Sequence, residues 1–353
     1  MAPKCKRKAV PAEDLWEVST LYQLYGIIYN AEIFADFLSV RHLIHIPDSC
    51  AKCASKGKVT FRSTHSEYYW RCGGKECQTW FSLRSGESPL TVFPKIALTQ
   101  VLEVLYLICA DCGVGQIVEL TGVHHTTVCK ILSLSHRCMR AINVQKRRPL
   151  EGVVEVDETM WGTSQKGIHG KPSNVKACFW ACFERGSSEF IIEPMDWMPN
   201  FYKMKGAAPS KEVLPRVEKW VKKGSTVCTD GLRAYLGLKK MGYLHAYVKH
   251  NEGEWVAEQD VGETSISVHT QSVDGMWGHL KTWLRSRRGV HTAHLPGYVD
   301  CFEWRARTKK DNRFNVLLQG FQDHPGNQGD EMEDAVEDID DLDFHKLIIQ
   351  ETL

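Results

Sequence analysis

The stretch VVEVDET, residues 153–159, indicates the fold of the second half of the chain. Its valines alternate with Glu155 and Asp157, and a period of two is typical of a β-strand. The alternation places Glu155 and Asp157 on one face of the strand and Glu158 on the other. Because a buried carboxylate is costly unless it is paired or binds a metal, this stretch predicts a strand that ends at a functional site.

A second acid follows another apolar strand. Residues 226–230 read TVCTD, so Asp230 ends a short strand and Gly231 comes next. Either aspartate alone could simply cap a turn, because strand-end aspartates commonly do so. Two of them on neighbouring strands would suit Mg²⁺, which prefers carboxylate oxygens.

A third acid lies in a helical segment, VHTQSVDGMWGHLKTWLR, residues 268–285. On a helix, Asp274, Lys281, Arg285 and the nearby Arg288 fall close to one stripe. A solvated charged face is one interpretation. The other is phosphoryl transfer, in which carboxylates hold two metals about 3.5–4 Å apart and the cations bind phosphates. The predicted catalytic and Mg²⁺-binding residues are Asp157, Asp230 and Asp274.

Strand and helix patterns alternate around these acids. After the strand at 153–157, the patterns predict strands at 175–184 and 189–193, a helix at 211–222, a strand at 226–230, a helix at 232–241, a strand at 246–249, and helices at 270–285 and 295–309. This order indicates a mixed sheet with helices on its faces.

Four cysteines earlier in the chain have the spacing of a zinc site. Cys50 and Cys53 form one pair, Cys72 and Cys77 form another, and eighteen residues separate the pairs. Strand-like residues lie between the pairs, and the segment is too small to fold on its own core. The alternative is four unrelated buried cysteines. We predict one structural Zn²⁺ held by the four thiolates.

Residues 115–132, GQIVELTGVHHTTVCKIL, have the pattern of a helix-turn-helix with Gly122 in the turn. The predicted shared core is Ile117, Leu120, Val123, Val128 and Ile131. The predicted contacts to DNA are His124, His125, Thr126 and Lys130. An ordinary helical hairpin is the alternative interpretation.

The charge of the chain is unevenly distributed. The net charge is +1, but residues 330–353 carry ten acidic side chains and one lysine, so residues 1–329 carry about +10. A basic body can meet phosphates, while an acidic tail can be flexible or compete for the basic surface. No apolar stretch is long enough to span a membrane and no secretory signal is visible. We therefore expect the thirteen cysteines to be reduced.

Several blocks resemble the signatures of Merlin-type transposases and of related bacterial insertion-sequence transposases. They are VEVDET with Trp161-Gly162, TDG with Tyr235, the segment from His269 to Lys281, and the segment from Leu295 to Arg305. The resemblance covers roughly residues 15–310, including the cysteine pairs. It implies an RNase H-like catalytic domain that performs cut-and-paste transposition.

The resemblance also implies a triad of two aspartates and a glutamate. Asp157 and Asp230 align with the first two acids, and Lys281 with the family's lysine. The third position, often glutamate, is Asp274 here, so His269 and Glu303 are alternative ligands. The implied cofactors are Mg²⁺ or Mn²⁺ at a two-metal site. The implied partners are double-stranded DNA, both transposon ends and target, and further copies of the chain in a dimer or larger synaptic assembly.

The sequence thus predicts a multidomain α/β protein: an RNase H-like catalytic domain preceded by a zinc ribbon and a helix-turn-helix. The expected parts are a basic arm with helices at 1–47, a zinc ribbon at 48–86, a helix-turn-helix domain at 88–148, a catalytic domain at 150–315 and an acidic tail at 316–353.

Two other functions stay open: an inactive DNA-binding derivative of a transposase, and a nuclease that acts on RNA–DNA hybrids. The basic arm and acidic tail favour a eukaryotic nucleus; in a bacterium the protein would be cytoplasmic and nucleoid-associated.

Overall fold

The computed structural model describes residues 17–84, 90, 93, 95–163, 174–196, 208–262, 264–287 and 290–323. The predicted basic arm, the acidic residues 330–353 and Arg288 lie outside the described residues. The chain divides into two compact units, Met1–Ile142 with Thr308–Leu353, and Asn143–Arg307.

The first unit begins with two short helices, α1 (Leu21–Ile28) and α2 (Ala31–Ser39). Apolar residues at roughly helical spacing predict one helical segment over residues 16–45, but Asn30 separates two helices. Its side chain accepts the backbone N–H groups of Glu32 and Ile33, which caps α2. Asparagine at this position favours a helix start because it satisfies orphan N–H groups.

A three-stranded antiparallel sheet follows, made of β1 (Gly57–Arg62), β2 (Glu67–Cys72) and β3 (Trp80–Ser82) in that order. One face is packed into the unit: Tyr68 and Trp70 are buried there, and the Tyr68 hydroxyl donates to the carbonyl of Ile28 at 2.9 Å. The other face of the sheet is partly exposed.

The long helix α3 (Leu98–Cys109) begins several residues later than the apolar run from Phe93 suggests. Its first N–H, that of Leu98, donates to the carboxylate of Glu67 at 3.1 Å, and Glu67 also pairs with Arg84 at 2.5 Å. A carboxylate at a helix N-terminus satisfies orphan donors and suits the helix dipole, so this contact fixes where α3 starts.

Helices α4 (Val114–Thr121) and α5 (His125–Lys146) follow, and α9 (Arg313–Asp323) completes the first unit. The sequence pattern predicts a helix from His124 to Arg137, and α5 continues nine residues further to Lys146. The sequence did not predict α9. A cysteine thiol of α5 contacts α9, with Cys138 Sγ 3.8 Å from the carbonyl of Leu317.

The second unit contains a five-stranded mixed sheet in the order β6-β5-β4-β7-β8. β4, β5 and β6 pair antiparallel, whereas β4–β7 and β7–β8 pair parallel. The strands are β4 (Val153–Thr163), β5 (Asn174–Glu184), β6 (Phe190–Met195), β7 (Thr226–Thr229) and β8 (Leu244–Tyr247). This mixed sheet with its helices fits the RNase H-like domain that the sequence predicts.

Helices cover both faces of this sheet. Val154 and Val156 of β4 face one core, which includes Val213 and Val217 of α6 (Ser210–Trp220). Phe179 of β5 faces the other core, which includes residues of α7 (Gln271–Arg285) and α8 (Leu295–Arg307). Strand alternation therefore assigns each side chain of β4 to one of two helical layers.

Two local predictions for the second unit are wrong. The segment 232–241 contains two short 3₁₀ turns, Arg233–Tyr235 and Leu238–Met241, instead of a helix. An antiparallel hairpin of β9 (Ala257–Val261) and β10 (Thr264–Val268) precedes α7 and was not expected. No described helix combines the length and apolar character that a membrane crossing needs.

Candidate active site and metal centres

The sheet register places two of the predicted acids side by side. In the parallel pair of β4 and β7, Val153 lies opposite Thr226 and Glu155 opposite Cys228. Continuing the same register by two residues brings Asp157 opposite Asp230, which directly follows β7. The two acids therefore lie on neighbouring strands. The prediction that Asp157 ends its strand is wrong, because β4 continues to Thr163 and stays paired with β5 beyond Asp157.

Helix α7 brings the third acid to the same face of the sheet. Asp274 lies in the first turn of α7, and its Oδ2 accepts a hydrogen bond from Thr270 Oγ1 at 3.0 Å. Trp277 and Leu280 of this helix pack into the core that contains Ala181, the β5 partner of Asp157. The carboxylate of Asp274 is exposed, while that of Asp157 is half-buried.

The N-terminus of α7 is fastened to β4 by Glu155. This side chain is fully buried, and its Oε2 accepts the backbone N–H of Ser272 at 2.8 Å and of Val273 at 3.1 Å. Its Oε1 accepts the Ser272 hydroxyl at 2.9 Å. Glu155 therefore caps α7 from a neighbouring strand, which fixes the helix turn that carries Asp274.

Arg185 completes this anchor. Its Nε donates to Glu155 Oε1 at 2.6 Å, and its two other nitrogens donate to the carbonyls of Ser267 at 2.6 Å and His269 at 2.8 Å. The guanidinium neutralises the buried carboxylate and also binds the backbone that leads into α7. The sequence did not reveal these roles. Its one signal was Glu155 between two valines of a strand, because a buried charge requires a partner.

Negative charge accumulates around Asp157. Burial raises the pKa of Asp157 well above its usual value, and the charges of Glu158, Asp274 and Asp230 raise it further. Burial also raises the pKa of Asp230, with Asp274 adding to the effect. The negative charge of Asp274 thus acts on both Asp157 and Asp230, and a bound cation would offset this repulsion.

Glu158 belongs to this environment from the opposite face of β4. Burial raises the pKa of Glu158 to about 7, although a hydrogen bond from the buried Tyr235 hydroxyl opposes that shift. The negative charge of Asp230 is a further cause of the raised pKa. Glu158 and Tyr235, which belong to two of the signature blocks, are hydrogen-bonded to each other in the structure. The sequence did not predict this contact.

The three aspartates do not form a compact ligand cluster in this structure. Within the described part of the chain, only the four cysteines form a group of three or more ligands whose atoms all lie within 4.8 Å. Three carboxylates distributed over two ions about 3.5–4 Å apart can lie further from one another than that. The hard oxygen donors match Mg²⁺ or Mn²⁺.

The predicted cations on α7 have different placements. Lys281 is half-buried, and burial lowers its pKa while the charges of Asp157 and Asp274 oppose the shift. It therefore lies within electrostatic reach of two acids of the site. Arg285 is exposed in the last turn of α7. Arg288, predicted to extend this stripe, lies outside the described residues.

The two alternative ligands, Glu303 and His269, have different surroundings. Glu303 is fully buried, and both of its oxygens accept from Arg147, at 2.8 and 2.6 Å, so it has no oxygen free of a cation. His269 directs Nδ1 towards Glu155 Oε1 at 3.2 Å, outside hydrogen-bond geometry. Burial and the charge of Arg185 lower the pKa of His269. Neither arrangement favours Glu303 or His269 over Asp274 as the third metal ligand.

In the first unit, the four predicted zinc ligands come together. Cys50 Sγ lies 3.7 Å from Cys77 Sγ, and Cys53 Sγ lies 3.4 Å from Cys72 Sγ. A tetrahedron of thiolates around zinc, with bonds of about 2.3 Å, has edges of about 3.8 Å. The cluster is therefore compatible with one structural Zn²⁺.

Tight turns make this convergence possible. Ala54 and Gln78, which follow the two cysteine pairs, have φ of 55° and 40°, and Gly74 lies against the sulfurs. A Cβ at Gly74 would lie 3.1 Å from Cys53 Sγ and 3.4 Å from Cys72 Sγ. The backbone N–H of Gly74 donates to Cys72 Sγ at 3.2 Å. A side chain at this position would crowd the space around the sulfurs.

The predicted DNA-reading residues lie at the start of α5. α4 ends at Thr121, Gly122 follows as its C-cap with φ of 67°, and α5 begins at His125. His124 and His125 are exposed, whereas Thr126 and Lys130 are partly exposed. Of the predicted shared core, four members are buried and Leu120 is not, being 66% exposed. Leu120 therefore does not hold the two helices together as expected.

Comparison with known proteins adds to this geometry. Residues 149–307 match the family of the ISXO2-like transposase domain. The match supports an insertion-sequence-type transposase family, and it contains all three predicted aspartates.

No curated protein matches the chain significantly. Among solved structures, a simian T-cell lymphotropic virus intasome in complex with PP2A regulatory subunit B56 gamma matches at 13% identity, with 60% of this chain and 68% of that chain covered and a TM-score of 0.26. A TM-score this low supports no conclusion about the fold or the function of this chain.

Proposed function

We propose that the protein is a cut-and-paste DNA transposase, whose substrates are double-stranded DNA ends and a target duplex. The observation that carries this proposal lies within residues 149–307, which match a transposase family. There Asp157 and Asp230 are side by side on adjacent strands, and Asp274 is in the first turn of the helix that packs on the same face of the sheet. The signature blocks around these acids support a Merlin-type member of that family, with Asp274 in the position where glutamate is common.

The three aspartates would hold two Mg²⁺ or Mn²⁺ ions. When bound, such ions would activate an attacking oxygen and stabilise a leaving one. Lys281, close to Asp157 and Asp274, would hold a phosphate oxygen next to the reacting centre. Arg285 would contact the DNA backbone further along α7. Glu155 and Arg185 act only on position, since both bind the start of α7.

The first unit would recognise the DNA. Cys50, Cys53, Cys72 and Cys77 would hold one Zn²⁺ that stabilises the three-stranded sheet. His124, His125, Thr126 and Lys130 would contact base edges and phosphates from the start of α5. We further propose that the protein works as a dimer or larger assembly, because two ends must be joined, and that it acts in a nucleus if its host is eukaryotic.

The test uses purified full-length protein and three labelled substrates: a duplex from DNA flanking its gene, an unrelated duplex, and an RNA–DNA hybrid. Each is incubated with a supercoiled plasmid and either Mg²⁺ or a chelator. The proposal predicts metal-dependent nicking at a defined end position and joined products in the plasmid. Specific binding without nicking would instead indicate an inactive DNA-binding derivative, and preferential cleavage of the hybrid would indicate a nuclease.

A further inference from the structure

The exposed face of the three-stranded sheet combines cations with aromatic rings. Strand alternation places Lys58 and Arg62 of β1, Tyr69 and Arg71 of β2, and Trp80 of β3 on the face opposite to the buried Trp70. We call these five residues the arginine–aromatic face. Lys58 is exposed and the other four are partly exposed.

The two arginines are held against the rings. The Arg62 guanidinium lies over Tyr69, 5.6 Å from the ring centroid, and over Trp80 at 5.4 Å. Arg71 lies 5.1 Å from the Trp80 centroid and donates to Gln78 Oε1 at 2.6 Å. Stacking restrains a guanidinium while leaving donors in its plane, so both arginines are preorganised to bind an anion.

The face lacks carboxylates that would neutralise it. Lys58 and Arg71 are direct cross-strand partners, and like charges in that relationship destabilise a sheet. Glu67, the partner of Arg62, is buried and gives its carboxylate to Arg84 and Leu98. Within the described residues, no acidic side chain forms an ion pair with any of these three cations.

We propose that the arginine–aromatic face binds the phosphates of duplex DNA. The rings are already covered by guanidinium groups, so backbone phosphates fit the face better than unstacked bases do. Phosphate contacts position a protein on DNA without reading its sequence. This inference rests on the proposed DNA transposase function and assigns a separate task to the sheet: anchoring the backbone, while the start of α5 reads the sequence.

The test measures binding of full-length zinc-loaded protein to fluorescent duplexes by anisotropy, over a series of salt concentrations without Mg²⁺. For the double variant Arg62→Gln/Arg71→Gln, we expect Kd to rise about tenfold near physiological salt. The slope of log K against log salt should fall by roughly 1 to 2, because each phosphate contact contributes about 0.9. The loss should be equal for an end duplex and an unrelated one.

Matched variants separate the face from net charge. Lys52→Gln/Lys75→Gln removes two exposed lysines from the cysteine-bearing turns, and it should change the salt slope much less. Arg62→Lys/Arg71→Lys keeps the charges but loses the planar stacked donors, so it should bind more weakly with a nearly unchanged slope. Zinc content and thermal unfolding report on folding of each variant.

Lys58→Gln alters only an exposed side chain of the arginine–aromatic face. It should lower the slope of log K against log salt by about 1.

The outcomes are distinguishable. If the wild type binds DNA and the face variants bind as tightly with the same slope, the face has no such role and the proposed function is unaffected. Tighter DNA binding by the double variant would also contradict the proposal, since it would mean that Arg62 and Arg71 oppose DNA binding. A wild-type protein with no affinity for any duplex would contradict the proposed function itself.

Discussion

The buried carboxylate of Glu155 accepts the backbone N–H of Val273 at 3.1 Å, one residue before Asp274. Glu155 also lies two residues before Asp157 on the same face of β4. One side chain therefore links the strand that carries the first acid to the helix that carries the third. The separation of Asp157 and Asp274 depends on this link, which makes it the main positioning device of the proposed site.

We predict that Glu155→Gln lowers DNA cleavage by about 10- to 100-fold and raises the Mg²⁺ concentration needed for half-maximal rate, as loss of outer-shell support does at other metal sites. Breaking the buried pair with Arg185 also lowers stability, by about 3–5 kcal/mol. The milder Ser272→Ala removes only one bond to Glu155, at 2.9 Å, and should shift the Mg²⁺ requirement in the same direction.

The control for this prediction is Glu151→Gln, which changes an exposed glutamate that pairs with Lys222 at 2.7 Å. Exposed pairs contribute little to stability, so its rate and Mg²⁺ requirement should match the wild type. An unchanged Mg²⁺ requirement in both Glu155→Gln and Ser272→Ala would refute the positioning role.

The raised pKa of Asp157 predicts how stability depends on pH without metal. Between the ordinary carboxyl pKa and the raised pKa of Asp157, the folded chain holds a proton that the unfolded chain has released. The contribution of Asp157 to the unfolding free energy therefore falls as pH rises through that window and stays low above it. Removing the charge should stabilise the metal-free protein at neutral pH.

We expect the metal-free Asp157→Asn variant to have a higher Tm than the wild type at neutral pH and a smaller difference in acid. Mg²⁺ should raise the Tm of the wild type more than that of the variant. Asp260→Asn, which changes an exposed aspartate of β9, is the control and should behave as the wild type. Equal Tm values for Asp157→Asn and wild type at neutral pH would count against the charged cluster.

Zinc content tests the four-cysteine site. Cys53→Ser should lose about one zinc per chain, as should Cys77→Ser, and each should unfold the three-stranded sheet, because structural zinc contributes about 10–16 kcal/mol in small zinc-dependent folds. Cys112→Ser changes a cysteine that follows α3 and is not one of the four, so this variant should keep its zinc. Full zinc content in Cys53→Ser would contradict the site; the measurement is elemental analysis alongside thermal unfolding.

Substitution at the start of α5 tests the predicted DNA contacts. Lys130→Ala should weaken duplex binding and lower the salt slope by about 1 if Lys130 contacts a phosphate. Lys146→Ala, an exposed lysine in the last turn of the same helix, is the control. Identical salt slopes for the two variants would argue that the start of α5 does not face DNA.

Much of the second unit could be predicted because its signals are local. An acid after an apolar run correctly marked the end of β7 at Asp230, whereas β4 continues past Asp157 to Thr163. The adjacency of the two strands appears only in the structure. The helix of Asp274 followed from apolar residues at helical spacing, which now pack against β5 and β6. By contrast, β9 and β10 have few apolar residues, and their short polar alternation gave no strand signal above that of a loop.

What sequence could not predict depends on contacts between distant residues. Glu155 accepts the backbone N–H of Ser272 in α7, 117 positions further along the chain. Glu67 likewise accepts the N–H of Leu98 at the start of α3, 31 positions further along. Glu303, considered as a ligand, instead pairs with Arg147. A carboxylate in an apolar pattern signals that a partner exists but does not say whether the partner is a metal, an arginine or a helix end.

The most direct measurement of the central claim is single-turnover cleavage of the end duplex with Mg²⁺ by the variants Asp157→Asn, Asp230→Asn and Asp274→Asn, with Asp260→Asn as the control. We predict no detectable cleavage by the first three and wild-type cleavage by the control. Asp274→Glu, which keeps the charge and adds one methylene, should stay within about 100-fold of wild type. Cleavage that survives in any of the three triad variants would contradict the assignment of that aspartate.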